Sequence, residues 1–125
     1  KYVIVDDLSE EASINSAKKI LAIQPMPDGV FITNDFCAAV CIQTLKEAGI
    51  RVPEDIAIVG FNNDVISKII EPKLTTINYP GLEIGEIVAR NLINHLQGNS
   101  NIKLTNTIII KSELIIRASS LKKKT

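Results

Sequence analysis

Three groups of polar residues in this chain each follow a short apolar run. They are Asp6 and Asp7, then Asn34 and Asp35, then Asn62, Asn63 and Asp64. A side-chain amide offers paired donors and an acceptor, and a carboxylate offers acceptors. Such pairs suit vicinal hydroxyls or the edge of a nucleobase. None of them is a nucleophile or a proton shuttle. Taken singly, each is also an ordinary turn former, and Asp35 suits the N-cap of a following helix. The groups gain meaning together, because ligands of an open parallel sheet bind beyond the carboxyl ends of its strands.

Catalytic signals are weak by comparison. His95 is the only histidine, and it sits late in a helix stopped by Gly98. A histidine there is favourable with the helix dipole, so a capping or surface role is expected. No Ser/His/Asp set, Gly-rich phosphate loop or metal-ligand spacing occurs. No catalytic residue, metal or cofactor is therefore assigned, and the chain does not read as an enzyme. Cys37 and Cys41 stand one helical turn apart. That spacing is poor for a disulfide and too sparse for zinc, so two free thiols in a reducing compartment are expected.

The elements that must position these groups alternate. Lys1–Val5 reads as a strand, and Ser9 with Glu10 and Glu11 starts a helix with acids at its positive end. Ile14, Ala17, Ile20 and Leu21 recur at helical spacing until Pro25 and Pro27 end the helix. Gly29–Thr33 is a second strand and Phe36–Ala48 a second helix, closed by Gly49. Val52–Asp55 is a turn and Ile56–Gly60 a third strand. Apolar strands alternating with amphipathic helices predict an α/β fold, a parallel sheet with helices on both faces. Beyond it come a short helical stretch at Ile66–Ile70, a strand at Leu74–Tyr79 and a helix at Leu82–Leu96. Two further strands are predicted at Thr107–Ile110 and Leu114–Ile116.

Composition excludes several classes. Hydrophobic residues make up 46% and charged residues 22%, enough apolar content for a core and too little charge for a disordered chain. Fourteen basic residues balance fourteen acidic ones. A domain that grips nucleic acid by itself carries a basic excess, and none exists here. The run Lys122–Lys124 reads as a solvated tail. No stretch approaches the roughly 20 apolar residues of a membrane span. Lys1 opens directly on a strand-like run, so the chain is expected to be a piece of a longer one.

Three stretches resemble the LacI/GalR family of bacterial repressors. They are Pro27-Asp-Gly-Val-Phe-Ile-Thr-Asn-Asp35, Gly49-Ile-Arg-Val-Pro-Glu-Asp-Ile-Ala-Ile-Val-Gly-Phe-Asn62, and Pro72-Lys-Leu-Thr-Thr-Ile77. A helix containing Gly85 and a closing Ser112-Glu-Leu-Ile-Ile-Arg117-Ala-Ser follow in order. The resemblance covers essentially the whole chain. It implies a two-lobed sensor of the periplasmic-binding-protein-like (type I) fold, with an effector in the cleft between the lobes. Residues 1–76 and about 113–125 would form the C-terminal lobe, and about 77–112 the crossover to the N-terminal lobe. The DNA-binding head would be missing.

The same resemblance implies the site. Asn34, with Asp35 beside it, and Asn62 match ligand positions, and Asp7 and Leu8 match the position after the first strand. Asn62 follows Phe61 where the family usually has an aspartate, which removes a charge. Leu8 stands where the family often has an aromatic, and leucine supplies no stacking face. The implied partners are a sugar-like or nucleobase-like effector, a second copy of the chain, and operator DNA reached only through the missing head. The dimer interface would draw on Cys37, Cys41, Ile66, Ile69 and Ile70. The implied location is cytoplasmic, with no membrane contact.

Two other readings compete. A periplasmic sugar-binding protein of the same fold would use the same cleft without DNA. A phosphorelay receiver would explain the acid pair in Val3-Ile-Val-Asp-Asp7. A receiver needs a phosphoacceptor aspartate where this chain has Gly60-Phe-Asn62, and a late Lys-Pro where it has Lys111-Ser112.

Overall fold

Helix α1 spans Glu10–Ala22 because its two ends are specified locally. Ser9 caps it by accepting from the Ala12 amide, and Glu10 and Glu11 occupy the positive first turn. Ala12, Ala17 and Ile20 form its buried stripe. The structure is a computed structural model that describes Ile4 and residues 7–99 and 107–122. The strand expected at Lys1–Val5, and Asp6 after it, lie outside the described residues except for Ile4.

Strand β1 is Gly29–Phe31 and leads into helix α2, Asp35–Glu47. Cys37, Ala38, Cys41, Ile42 and Leu45 are buried along α2, a stripe at three- and four-residue spacing. Gly49 closes it with φ +82°, a left-handed value that suits glycine. The Gly49 and Ile50 amides then satisfy the Lys46 and Leu45 carbonyls. A turn at 52–55 is tied by Arg51, whose backbone amide and Nε each donate to Asp55 at 2.8 Å. Strand β2 is Ala57–Phe61, α3 is Ile66–Ile69 and β3 is Thr75–Asn78.

The sheet runs β1-β2-β3-β4, with β4 at Glu113–Ile115. β1 and β3 both pair with β2 in parallel. This is the expected α/β architecture. Helix α2 packs on β2, α1 packs on α2, and a 3-10 turn at Ala118–Ser120 packs on β2 and β3. The core gathers Ala17, Ile20, Ile42, Leu45, Ile56, Ile58 and Leu74. Both cysteines are free thiols, and burial foremost, then neighbouring Cys37, pushes the Cys41 thiol up to about 11.

The two faces of β2 differ in cover, and one expected strand needs correction. Ile58 and Gly60 of β2 are buried, whereas Ala57, Val59 and Phe61 on the opposite face are only half-buried. Phe31, on that second face, is 53% exposed and meets Phe61 edge to face. The helices α1 and α2 therefore cover one face of β2 more fully than the other. The strand expected at Thr107–Ile110 is also absent from the described structure. Ile108 and Ile109 are exposed, and a β run without a ladder partner has little to hold it.

Contacts divide the chain into two units. One runs to Asn78 and resumes at Leu114; the other is Tyr79–Glu113. The second unit is built on helix α4, Gly81–Leu96. It is amphipathic by sequence, yet none of its residues is buried. Leu82, Val88, Leu92, Ile93 and Leu96 are all exposed.

Candidate ligand-binding site

The parallel register places three asparagines toward one edge of the sheet, referred to below as the amide row. Phe31 pairs with Val59, and Phe61 pairs with Ile77. The Ile32 amide continues the first ladder to the Val59 carbonyl, and the Asn62 amide continues the second to the Ile77 carbonyl. Asn34 and Asn62 follow β1 and β2, and Asn78 ends β3, so all three lie toward the carboxyl ends of these strands. This edge is where a parallel α/β sheet offers polar groups to a ligand.

Each member of the row has its own local cause. Asn34 is the N-cap of α2, and its Oδ1 accepts from the Phe36 and Cys37 amides at 2.9 and 3.2 Å. The cap is thus Asn34 rather than Asp35, and the Nδ2 end of Asn34 retains its donor capacity. Asn62 and Asn63 both take positive φ, 117° and 58°. Asparagine tolerates the left-handed region better than most side chains. The Asn62 amide reaches Asp64 at 3.5 Å. Asn63 is gripped at both ends: its Nδ2 donates to Asn78 at 3.1 Å, and its Oδ1 accepts from Arg117 at 2.8 Å.

Asp35 is placed differently from expectation. It is fully buried, and its carboxylate accepts from the Thr76 hydroxyl at 2.6 Å and from the Asp64 amide at 2.8 Å. It therefore faces the loop that follows β2 and not an open ligand surface. Asp7 and Leu8 are exposed just before α1. Hydrogen bonds from the Ser9 hydroxyl and then its amide hold the Asp7 carboxyl below its ordinary range. A hollow of about 790 Å3 between α1, β1 and α2 is lined by Asp7, Leu8, Thr33 and Cys37 among others.

The residues expected at a dimer interface separate into two groups. Cys37 and Cys41 are 5% and 2% exposed, packed inside this protein's own core. Side chains so enclosed cannot meet a second copy, which corrects their assignment. Ile69 is exposed, Ile66 is half-buried, and Ile70 packs against the core.

Three residues at this edge carry polar functions that sequence reasoning missed. Asn78 completes the amide row. Thr76 joins Asp35 to the Asn63 amide, its Oγ1 accepting from Asn63 at 3.3 Å. Arg117 donates through Nη1 to the Leu74 carbonyl and the Ser67 hydroxyl, besides its bond to Asn63. The available signals were polar side chains inside apolar strands, Thr75 and Thr76 above all.

The sequence pattern of the periplasmic binding protein-like domain matches residues 2–120. The lactose operon repressor of Rhizobium radiobacter is 34% identical over 90% of this chain and 96% of its own sequence. The chain belongs to the LacI/GalR family. Its sequence corresponds to the effector-binding region of those proteins. The NTD biosynthesis operon regulator NtdR of Bacillus subtilis is 36% identical over 82% of this chain and 31% of its own length. A LacI family transcriptional regulator from Enterococcus faecium, solved with bound ribose, has a TM-score of 0.75 at 28% identity. That match covers 94% of this chain and 42% of the other. This LacI/GalR chain thus spans about a third of NtdR. Among the described residues no helix is long and apolar enough to cross a membrane, and no cluster of metal-ligating side chains forms.

Proposed function

We propose that this chain is the effector-sensing region of a cytoplasmic LacI-type transcriptional repressor. It binds a small neutral sugar or nucleobase and controls DNA binding at a distance. The amide row of Asn34, Asn62 and Asn78 is the observation that carries this reading. Asn34 and Asn62 present donors and acceptors to the ligand, and Asp7 and Leu8 flank it. Asp7 and Asp64 make this edge acidic, which suits hydroxyl and amine donors better than phosphate. The Arg117 guanidinium is bonded to Asn63, Ser67 and Leu74, so it is engaged within the protein.

No residue here is assigned a catalytic role. Ligand binding would favour one conformation of a dimer over another, and the difference in affinity between them would set the response. Ile66 and Ile69 supply part of the contact with the second copy. Operator DNA is met by a separate head in the whole protein. The similarity to operon regulators favours this reading over a periplasmic sugar carrier.

The test uses the full-length protein and its own promoter DNA. Ribose, other pentoses and hexoses, and nucleobases are titrated while operator affinity is followed. One class should shift operator affinity by about 5- to 150-fold, and Asn62→Ala should abolish the shift without unfolding the protein. A protein that binds a sugar but shows no change in DNA binding would favour the carrier reading.

A further inference from the structure

We propose that Asp35 is the positioning residue of this site, a buried anchor that holds the 62–64 loop so that Asn62 is presented at the sheet edge. The inference rests on the ligand reading above for its functional meaning, but its structural claim is tested without ligand.

Four observations converge on Asp35. It is fully buried at the first position of α2, whose core stripe fixes the helix against β2. Its two oxygens accept from different elements, Oδ1 from the Thr76 hydroxyl of β3 at 2.6 Å and Oδ2 from the Asp64 amide at 2.8 Å. The Thr76 oxygen also lies 3.3 Å from the Asn63 amide. Carboxylate and hydroxyl together thus engage two successive amides of the loop. Asn62 and Asn63 precede or share that grip with φ of 117° and 58°. Backbone in this region costs energy for a residue with a side chain, and it persists where surrounding structure holds it. Finally, Gly60 lies directly against the carboxylate. A Cβ there would overlap Asp35 Oδ1, and Leu74 Cδ2 would stand only 2.8 Å away. The glycine of the Val-Gly-Phe stretch leaves the space that Asp35 occupies.

This division of labour assigns different roles to neighbouring residues. Asn63 is held from outside by Arg117 and Asn78, and Asp64 is held from beneath by Asp35. Asn62 precedes both, and the bond its side chain makes is the long one to the Asp64 carboxylate, 3.5 Å. A ligand would meet a preset amide, which lowers the ordering cost of binding.

The experiment compares the protein with its Asp35→Asn and Thr76→Val variants by backbone hydrogen exchange and by the NMR signals of the Asn62 side-chain amide. Asn at position 35 keeps the shape but cannot accept at both ends. Exchange at Asp64 should accelerate by about tenfold, the value of one lost hydrogen bond to a charged group. The Asn62 side-chain signals should shift, while exchange at Ile42 and Leu45 in α2 stays unchanged. Thr76→Val should loosen Asn63 and Asp64 in the same way, and the double variant should add little to either single one. Ile42→Val, a core change of modest cost, should leave the loop signals in place. Unchanged Asp64 exchange, acceleration spread evenly through α2, or additive effects of the two variants would each overturn the proposal. Should Asp35→Asn not fold, Thr76→Val alone decides by the same readings. Failure of every ligand to bind would instead count against the reading under Proposed function.

Discussion

Helices α2 and α4 are both amphipathic in sequence, and the structure treats them in opposite ways. α2 lays Ala38, Cys41, Ile42 and Leu45 into a core shared with α1 and β2. α4 has Leu82, Val88, Leu92 and Leu96 at helical spacing and buries none of them. Periodicity therefore states that a helix has a side in need of cover. It does not state whether the cover lies within the same unit. For α2 the covering residues follow and precede it closely in sequence, on β2 and α1. For α4 no described residue of its own unit supplies it.

Substitutions can sharpen that contrast. Leu45→Ala in α2 removes a fully buried side chain, and should lower stability by about 2–5 kcal/mol through lost transfer energy and a residual cavity. Thermal or urea unfolding measures it directly. Asn34→Ala removes the cap of the same helix and should cost about 0.5–2 kcal/mol. Because Asn34 also belongs to the amide row, it should weaken ligand binding as well. A cap serving stability alone would leave affinity unaltered. Leu92→Ala in α4, where the side chain is 49% exposed, should change stability by about 0.5 kcal/mol or less. A loss as large as that of Leu45→Ala would break the comparison, because it would mean that α4 is covered in solution.

The smallest effect is expected at the surface turn after α2. The Arg51 side chain, bonded to Asp55, holds that carboxyl down to about 2. A carboxyl held low in the folded state stabilises the fold above its ordinary value of 3.8, and that contribution is lost as pH falls through about 2. Arg51→Ala should therefore shift the acid end of the unfolding profile slightly toward higher pH. Unfolding curves between pH 2 and 5, identical for both proteins, would remove the pair from the account of this turn.

Much of the fold was legible in the sequence because its signals are local. Ser9 with two glutamates, the stripe from Cys37 to Leu45, and Gly49 each act within a turn or two of chain. The expected parallel order followed from strand and helix alternation. What could not be read depends on residues distant in sequence. Asp35 satisfies every local criterion of a helix cap, yet the cap is Asn34, and the Asp35 carboxylate turns toward Thr76 and the Asp64 amide. No local rule connects position 35 with 64 and 76. Arg117 reaches back to Asn63 and Ser67 in the same manner. Cys37 and Cys41 illustrate the reverse error. Resemblance places them at an interface, whereas the apolar stripe that contains them points to the core.

Asn34 and Asn62 follow β1 and β2 at the sheet edge, where the sequence reading expects ligand-facing polar groups. Asn78 joined them only through the β2–β3 register, which the sequence does not fix. The partners of Asn63 follow from the same register, since Asn78 stands opposite the loop residues.

The central claim is that the effector seats on the amide row at the carboxyl edge of β1, β2 and β3. Its most direct test is a titration of isotope-labelled protein with neutral sugars and nucleobases, followed by side-chain amide NMR. The account predicts saturable shifts at the Asn34 and Asn62 amides with one ligand class, lost in Asn62→Ala. Saturable binding that instead perturbs Met26, Cys41 and their neighbours in the hollow beside β1, and leaves both amides unmoved, would contradict it.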